Sequence, residues 1–503
     1  MSVQCPHCGS TAAVSRGTRQ NVDGLLFRRY ACKGCSRYYS VQSMDKFQST
    51  SEIIGEKFVI TSAQNDTPIN LFFLMSLKSY CSIHGATLII LPIKYMVDIS
   101  EPEIIWHPLI AEHIKDSSVT LTDGLRMLGN INISPAIESP IAGLDYLSKG
   151  DSLIIGHPQL QMKTLAVNSV DHPAIITTTG SVTLPNYSET KQGEKARFNH
   201  SFSAIVVEKD INQFHLRVLN ADDNGGFYDV DGYYDASGRT DLKYVEALIT
   251  GDEHALFASP LVKAATYTNR DSMVKVLKPK RIVRHDVLDC YSVSHHHKNN
   301  FLTKYGKHKT STDIMEDELK LTLEHIDSTT PSYSENIIVA SNHNDHLYKW
   351  LNEADPKLEP WNAKLYHHLM YRMLDKMTVT DKKFEFMNPF ELWVSEQKHK
   401  SKITFVGRDE AYKICEIEIS NHGDLGTNGS RGSLLQYSRL AFKTVIGHSH
   451  SPGINKGAYQ VGTSSNLKLE YSKGPSSWLN THCVVYPNGK RQLIHIINGK
   501  WKK

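Results

Sequence analysis

Five short clusters in the second half of the chain hold residue types that bind metal ions. The first is Asp252 and His254, in Ile249-Thr-Gly-Asp-Glu-His-Ala-Leu-Phe257. Residues two apart in an extended backbone project to the same side, so this carboxylate and imidazole point together. The others are His285-Asp286-Val-Leu-Asp289, Ser341-Asn342-His343-Asn-Asp345, Asn421-His422-Gly423 and Gly447-His448-Ser-His450. Carboxylate, imidazole and amide oxygen in combination suit Mn²⁺, Fe²⁺ or Zn²⁺. Seven such groups are too many for one ion and fit two. A separate set lies at the front of the chain, where Cys5-Pro-His-Cys8 and Cys32-Lys-Gly-Cys35 form two Cys-x-x-Cys knuckles. Four thiolates in this pattern suit tetrahedral Zn²⁺ in a closed structural site.

Strands are expected just ahead of these clusters. Val245 and Ala247 to Ile249 precede Gly251, and Arg281 to Arg284 precede His285, although only Ile282 and Val283 are apolar there. Ile337-Ile-Val-Ala precedes Ser341. Cys415, Ile417 and Ile419 share one face of a strand before Asn421, and Thr444-Val-Ile precedes Gly447. Ligands would thus gather at the carboxyl ends of strands along one rim, where open α/β sheets bind theirs. Upstream, Phe58-Val-Ile-Thr, a helix with Pro68 in its first turn and Gly85 at its end, and Leu88 to Ile93 read as strand, helix and parallel strand. Short strands follow at Leu153, Ala174, Ala204 and Phe214. His157, His200 and His215 lie among them and are taken as structural, and Phe227-Tyr-Asp-Val-Asp-Gly lacks the rest of a calcium loop.

At 503 residues the chain is too long for one ordinary core. The divisions expected are a zinc ribbon over 1–42, a linker over 43–56, an α/β domain over 57–243 and a metal-binding domain over 244–503. Insertions fall near 295–335 and 346–400. A hydrophobic share of 40% with 22% charged residues describes a soluble protein, and a net charge of +3 announces no nucleic-acid partner for the molecule as a whole. The basic footprint is local. The ribbon carries Arg16, Arg19, Arg28, Arg29, Lys33 and Arg37 against Asp23, interleaved with Tyr30, Tyr38 and Tyr39, around a hairpin expected at Asn21 to Gly24. The first insertion opens His295-His-His-Lys298 and continues through Phe301, Lys304, Tyr305, Lys307 and Lys309, a basic aromatic loop before a helix through Met315 and Leu323. The second has Trp350, Trp361, Leu365, Leu369 and Met373 at helical spacing, read as a cap on the sheet edge. No secretory signal or membrane span is evident, and Cys81, Cys290, Cys415 and Cys483 are scattered, which fits a reducing cytoplasmic setting.

The order Asp-x-His, Asp-x-x-Asp, Asn-His, His-Gly, Gly-His-x-His resembles the calcineurin-like metallophosphoesterases over roughly Ala247 to Thr463. The ribbon resembles those fronting some transposases. Thr61-Ser-Ala-Gln-Asn65, Gly156-His-Pro158 and Thr177-Thr-Thr-Gly180 resemble the early DNA-degrading nucleases of T5-like tailed phages. The first resemblance implies a layered β-sandwich flanked by helices. It implies that Asp252, His254 and His450 hold one metal, Asn342, His422 and His448 the other, and Asp286 bridges. His343 would face the scissile phosphate without ligating metal. His285 and Ser341 stand where that family has Gly.

The function expected is that of a two-metal DNA phosphodiesterase, with Mn²⁺ foremost and Mg²⁺, Fe²⁺ or Zn²⁺ as alternatives, plus one structural Zn²⁺ on Cys5, Cys8, Cys32 and Cys35. DNA is the expected partner, through Arg16, Arg19, Arg28, Arg29 and Arg37 of the ribbon and Lys298, Lys304, Lys307 and Lys309 of the insertion. Membranes are excluded and self-association is left open. The phage resemblance implies a host cytoplasm. The competing readings are a phosphomonoesterase or small-molecule or cyclic-nucleotide phosphodiesterase, and a zinc-ribbon DNA-binding regulator on a phosphoesterase scaffold.

Overall fold

The strand expected at Phe58 spans Lys57–Gln64 and lies parallel to Thr87–Ile93, with the helix Leu71–His84 crossing between them. Asn70 caps that helix by accepting from the Phe73 N–H at 3.1 Å, and Gly85, at φ 60°, closes it. Pro68 therefore precedes the cap instead of entering the first turn. These coordinates come from a computed structural model that describes residues 4–20, 26–42, 51–53, 55–95, 106–168, 173–381, 383–469 and 473–502. The hairpin turn expected at Asn21 to Gly24 and most of the linker lie outside the described residues.

The chain is a mixed α/β protein with several sheets. A six-stranded sheet runs in the order Ile403–Val406, Glu335–Val339, Arg281–Arg284, Ala247–Ile249, Thr481–Val485, Arg491–His495. The first four are mutually parallel. Opposite it, an eleven-stranded sheet includes Ile417–Glu418 and Lys443–Ile446, also parallel. Ile249, Val283 and Ile337 of the first sheet share one core with Ile417, Val445 and Ile454 of the second. Burying each such side chain is worth about 1.5–3 kcal/mol.

The boundary expected at residue 244 is bridged by this second sheet. Gln161–Leu165 pairs antiparallel with Gly453–Asn455, setting Gln161 opposite Asn455, and Met162, Ile154 and Ile175 join the same core. Residues 51 and 52, expected within a linker, form a short edge strand parallel to Ser118–Thr122. Cys415 is not in a strand either. It and Glu416, at φ 48° and 62°, form the turn of a hairpin between Lys413–Ile414 and Ile417–Glu418. That turn needs two left-handed residues, a geometry usually signalled by Asn-Gly, so Cys-Glu conceals it. The basic segment expected as a loop is a helix over Phe301–Lys309. Helices Met315–Thr329, Asn342–Glu353 and Ala363–Asp375 pack Leu319, Leu323, Leu347, Trp350, Leu369 and Met373 onto Ile338, on the sheet's face as well as its edge.

The acidic-aromatic stretch is a hairpin, Phe227–Asp229 with Gly232–Asp235, and not a cation loop. Asp229 is buried. Burial opposes its ionisation, but Arg217, bonded at 2.6 and 2.9 Å, and the Tyr80 hydroxyl at 2.7 Å hold its carboxyl down at about 2. A depressed folded-state value makes this stability fully present above the ordinary carboxylate pKa, and lost as pH falls from there towards 2. Urea unfolding should lose about 2 kcal/mol from this group across that window. Asp229→Asn should flatten that part of the profile, and an unchanged slope would refute the assignment.

Candidate metal centre

Strand ends from both sheets meet at one place. Asp252 and His254 follow Ala247–Ile249, Asp286 and Asp289 follow Arg281–Arg284, and Asn342 and His343 follow Glu335–Val339. From the facing sheet, His422 follows Ile417–Glu418, and His448 and His450 follow Lys443–Ile446. The ligands thus come from two sheets, where one rim was expected.

Three ligand groups converge, each within 4.8 Å: Asp252, His254 and His450; Asp252, Asp286 and His422; and His254, Asp286 and His343. The His254 and His450 Nε2 atoms stand 3.0 Å apart, His450 Nε2 lies 3.1 Å from Asp252 Oδ2, and His422 Nε2 lies 3.0 Å from Asp286 Oδ2. Despite this closeness, both Asp252 oxygens, Asp286 Oδ1 and His422 Nε2 make no aligned hydrogen bond and are buried. Lone pairs that crowd together without bonding one another fit shared cations, because buried polar atoms otherwise find partners. The donor set of carboxylate and imidazole suits divalent transition metals. Asn342 Oδ1 is likewise buried without a partner, and the His448 ring stands further out, 5.3 Å from that of His422.

The backbone is bent to reach this arrangement. His254, Asp286, His448 and His450 have φ of 41°, 43°, 73° and 59°. Non-glycine residues seldom hold such angles unless the surroundings impose them, and they gather at functional sites. Gly447 is needed for a different reason. A Cβ there would stand 2.3 Å from Asp252 Oδ1, closing the space between the sheets. His285 is not left-handed, so a side chain is tolerated, and its Nδ1 lies 3.3 Å from His422 Nδ1. Ser341 caps the helix Asn342–Glu353 by accepting from the Asn344 N–H, which fixes Asn342 and His343 in its first turn.

Charge is balanced among these groups. Burial opposes ionisation of Asp252, but His422 and His450 hold it at about 2. Burial also disfavours a charged His343, yet Asp286 and Asp289 raise it to about 10. His422 is likewise raised against burial by Asp286 and Asp252. The carboxylates here favour positive charge at neighbouring positions, the condition a bound cation would meet.

Several contributors carry no role in the sequence reading. Asp289 Oδ1 accepts from His254 Nδ1 at 2.6 Å and lies 3.2 Å from His343 Nδ1, while its carbonyl accepts from His343 Nδ1 at 3.0 Å. Asp345, in the same motif as His343, pairs with Arg408 at 2.7 Å. Glu253 alternates away from Asp252 and His254 and bonds Arg284 at 2.8 and 2.9 Å and His325 at 2.9 Å. Arg284 is fully buried and also reaches Asn336 and Thr329. This explains a strand with so few apolar residues. Arg284→Met should cost about 3–5 kcal/mol in urea unfolding, since it strands the Glu253 carboxylate. A loss near that of a surface pair, about 1 kcal/mol or less, would show that the pair does not anchor the strand.

The remaining site residues divide by exposure. Cys5 and Cys35 Sγ lie 3.7 Å apart and Cys8 and Cys32 Sγ 3.5 Å, close to the tetrahedral S···S edge of about 3.8 Å that Zn–S bonds of about 2.3 Å imply. All four are free thiols that could form a zinc site. Arg16, Arg29 and Arg37 are exposed, with Arg29 stacked 5.1 Å above Tyr38, while the side chains of Arg19 and Arg28 lie outside the described residues. Lys298, Lys304 and Lys309 are exposed. Lys307 is not available as expected: it is buried, donates to the Tyr291 carbonyl and sits 4.2 Å over the Tyr291 ring. Among the described residues no helix is long and apolar enough to cross a membrane.

Protein A1 of Escherichia phage T5 is 31% identical to this chain over 468 residues, covering 89% of this chain and 83% of that protein. No family model matches. The crystal structure of Chaetomium thermophilum Vps29 overlaps 33% of this chain and 92% of its own, at 13% identity and a TM-score of 0.17, a likeness too weak to assign a fold.

Proposed function

This chain belongs to the family of Protein A1 of phage T5, and for it we propose metal-dependent hydrolysis of the DNA phosphodiester backbone at a calcineurin-like metallophosphoesterase centre. The observation that carries the reading is the sharing of ligands. Asp252, His254 and Asp286 each belong to two of the three converging groups, and the two carboxylates have the paired oxygens that neighbouring cations can share. Asp252, His254 and His450 would hold one ion, Asn342, His422 and His448 the other, with Asp286 between them. Mn²⁺ is the foremost candidate, with Mg²⁺, Fe²⁺ and Zn²⁺ as alternatives. When bound, two such ions supply positive charge to the phosphoryl oxygens and acidify the attacking water.

The protein's own groups do the rest. Asp289 accepts at His343 Nδ1, which leaves Nε2 as the atom able to serve substrate. A proton held there stabilises charge on the phosphoryl group or passes to the leaving oxygen. Asp289 also orients His254 by accepting at its Nδ1, as carboxylates commonly do for metal-binding histidines. The exposed Lys298, Lys304 and Lys309 of the insertion, and Arg16, Arg29 and Arg37 on the ribbon, would contact DNA phosphates. Cys5, Cys8, Cys32 and Cys35 would hold a structural Zn²⁺.

The test compares Mn²⁺-loaded protein on circular plasmid, linear duplex and p-nitrophenyl mono- and diesters. Cleavage of DNA and diester is the expected result. Monoester turnover without DNA cleavage would favour the phosphomonoesterase, and DNA retention without any turnover the regulator. Deleting residues 1–45 should leave diester turnover intact while weakening duplex binding at moderate salt. Loss of diester turnover in that truncation would place the ribbon within the catalytic unit.

A further inference from the structure

Beyond the centre described above, three more imidazoles meet on the far side of His343. His295 and His296 lie in the short turn His295–His297, and His346 lies one helical turn after His343. One nitrogen from each falls within 4.8 Å of the others. The His295 ring is 3.9 Å from that of His296 and 4.9 Å from that of His346, and the His346 ring is 5.0 Å from that of His343. His295 Nδ1 and His346 Nδ1 are both buried without a hydrogen-bond partner. Leaving such atoms unsatisfied is unfavourable, and two of them in one three-histidine cluster need an explanation. Residues 295 and 346 belong to separate elements, so the cluster is not a run of adjacent side chains pointing at solvent.

We propose that His295, His296 and His346 form a further metal site, a three-imidazole cage for an ion of the Zn²⁺ class. The absence of a carboxylate argues against Mg²⁺ and Ca²⁺, and three neutral nitrogens suit Zn²⁺, Co²⁺ or Ni²⁺. With three protein ligands, a tetrahedral ion keeps one position for an exchangeable group, unlike the closed four-cysteine cluster. The site lies one imidazole away from the shared carboxylates, so a phosphate oxygen of the substrate is the group within reach of that position. This last assignment of a ligand rests on the nuclease reading, whereas the metal site does not.

The test is Zn²⁺ titration of chelator-stripped full-length protein by calorimetry, with elemental analysis of the loaded product. His295→Gln/His296→Gln should bind one equivalent fewer than the unmodified chain and keep every other binding phase. The single variant His296→Gln, at an exposed position, should weaken that equivalent ~10-fold or more while leaving the melting temperature unchanged. Asp286→Asn should retain it while disturbing the phases of the neighbouring centre. Failure of the nuclease reading would therefore not mimic failure of this one. Equal stoichiometry and affinity in the unmodified chain and both histidine variants would overturn the proposal.

Discussion

Asp286→Asn is expected to lose more activity than any single imidazole variant, beyond the ~10–100-fold that a supporting residue costs. Asp286 offers two carboxylate oxygens to the groups it shares with His422 and with His254, so neutralising it weakens the hold on both candidate ions. The fold should tolerate the change. Asn adopts the left-handed backbone about as readily as Asp, and Asp286 sits at φ 43°. His254→Asn, by contrast, removes a single ligand nitrogen, since its Nδ1 is held by Asp289, and should weaken one ion more than the other. Metal content and diester turnover measured on the same preparations separate the cases. A fully active Asp286→Asn protein that keeps both ions would end the two-ion mechanism.

His343→Asn should lower kcat on DNA by ~10²–10⁴-fold while leaving metal content and melting temperature unchanged. Its Nδ1 is held by Asp289 and its other nitrogen is free to serve substrate. The deficit should shrink on a p-nitrophenyl diester, whose leaving group needs less protonation. An equal deficit on both substrates would favour charge stabilisation over proton donation. Normal DNA cleavage would remove His343 from the chemistry and with it the placement of Asn342.

The sequence made the ligand clusters legible because each sits beside a strand or helix whose periodicity could be read. The parallel pair at Phe58 and Leu88 and the helices through Leu323, Trp350 and Leu369 follow from the same local signals. The rest depended on long-range partners. Arg284 looks out of place in a strand until Glu253, itself bonded to His325, is seen against it. Lys307 reads as one more surface cation until Tyr291 folds over it. Asp289 sits within a quoted motif, yet its role depends on His254 and His343, which other parts of the chain bring to it. The pairing of Gln161 with Asn455 has no local signal, since either strand alone is compatible with an edge.

That pairing also sets an order of events as the chain is made. Gln161 and Asn455 lie 294 positions apart, and the strands on their two sides of the sheet come from opposite halves of the sequence. During synthesis at ~5–20 residues per second, the first half waits many seconds with the Gln161–Leu165 edge unpaired, a state open to wrong partners. Contacts so distant in sequence also slow folding after release. A fragment ending near residue 244 would keep this bare edge permanently and is expected to aggregate, whereas co-expression with the complementary fragment should rescue solubility by supplying Gly453–Asn455.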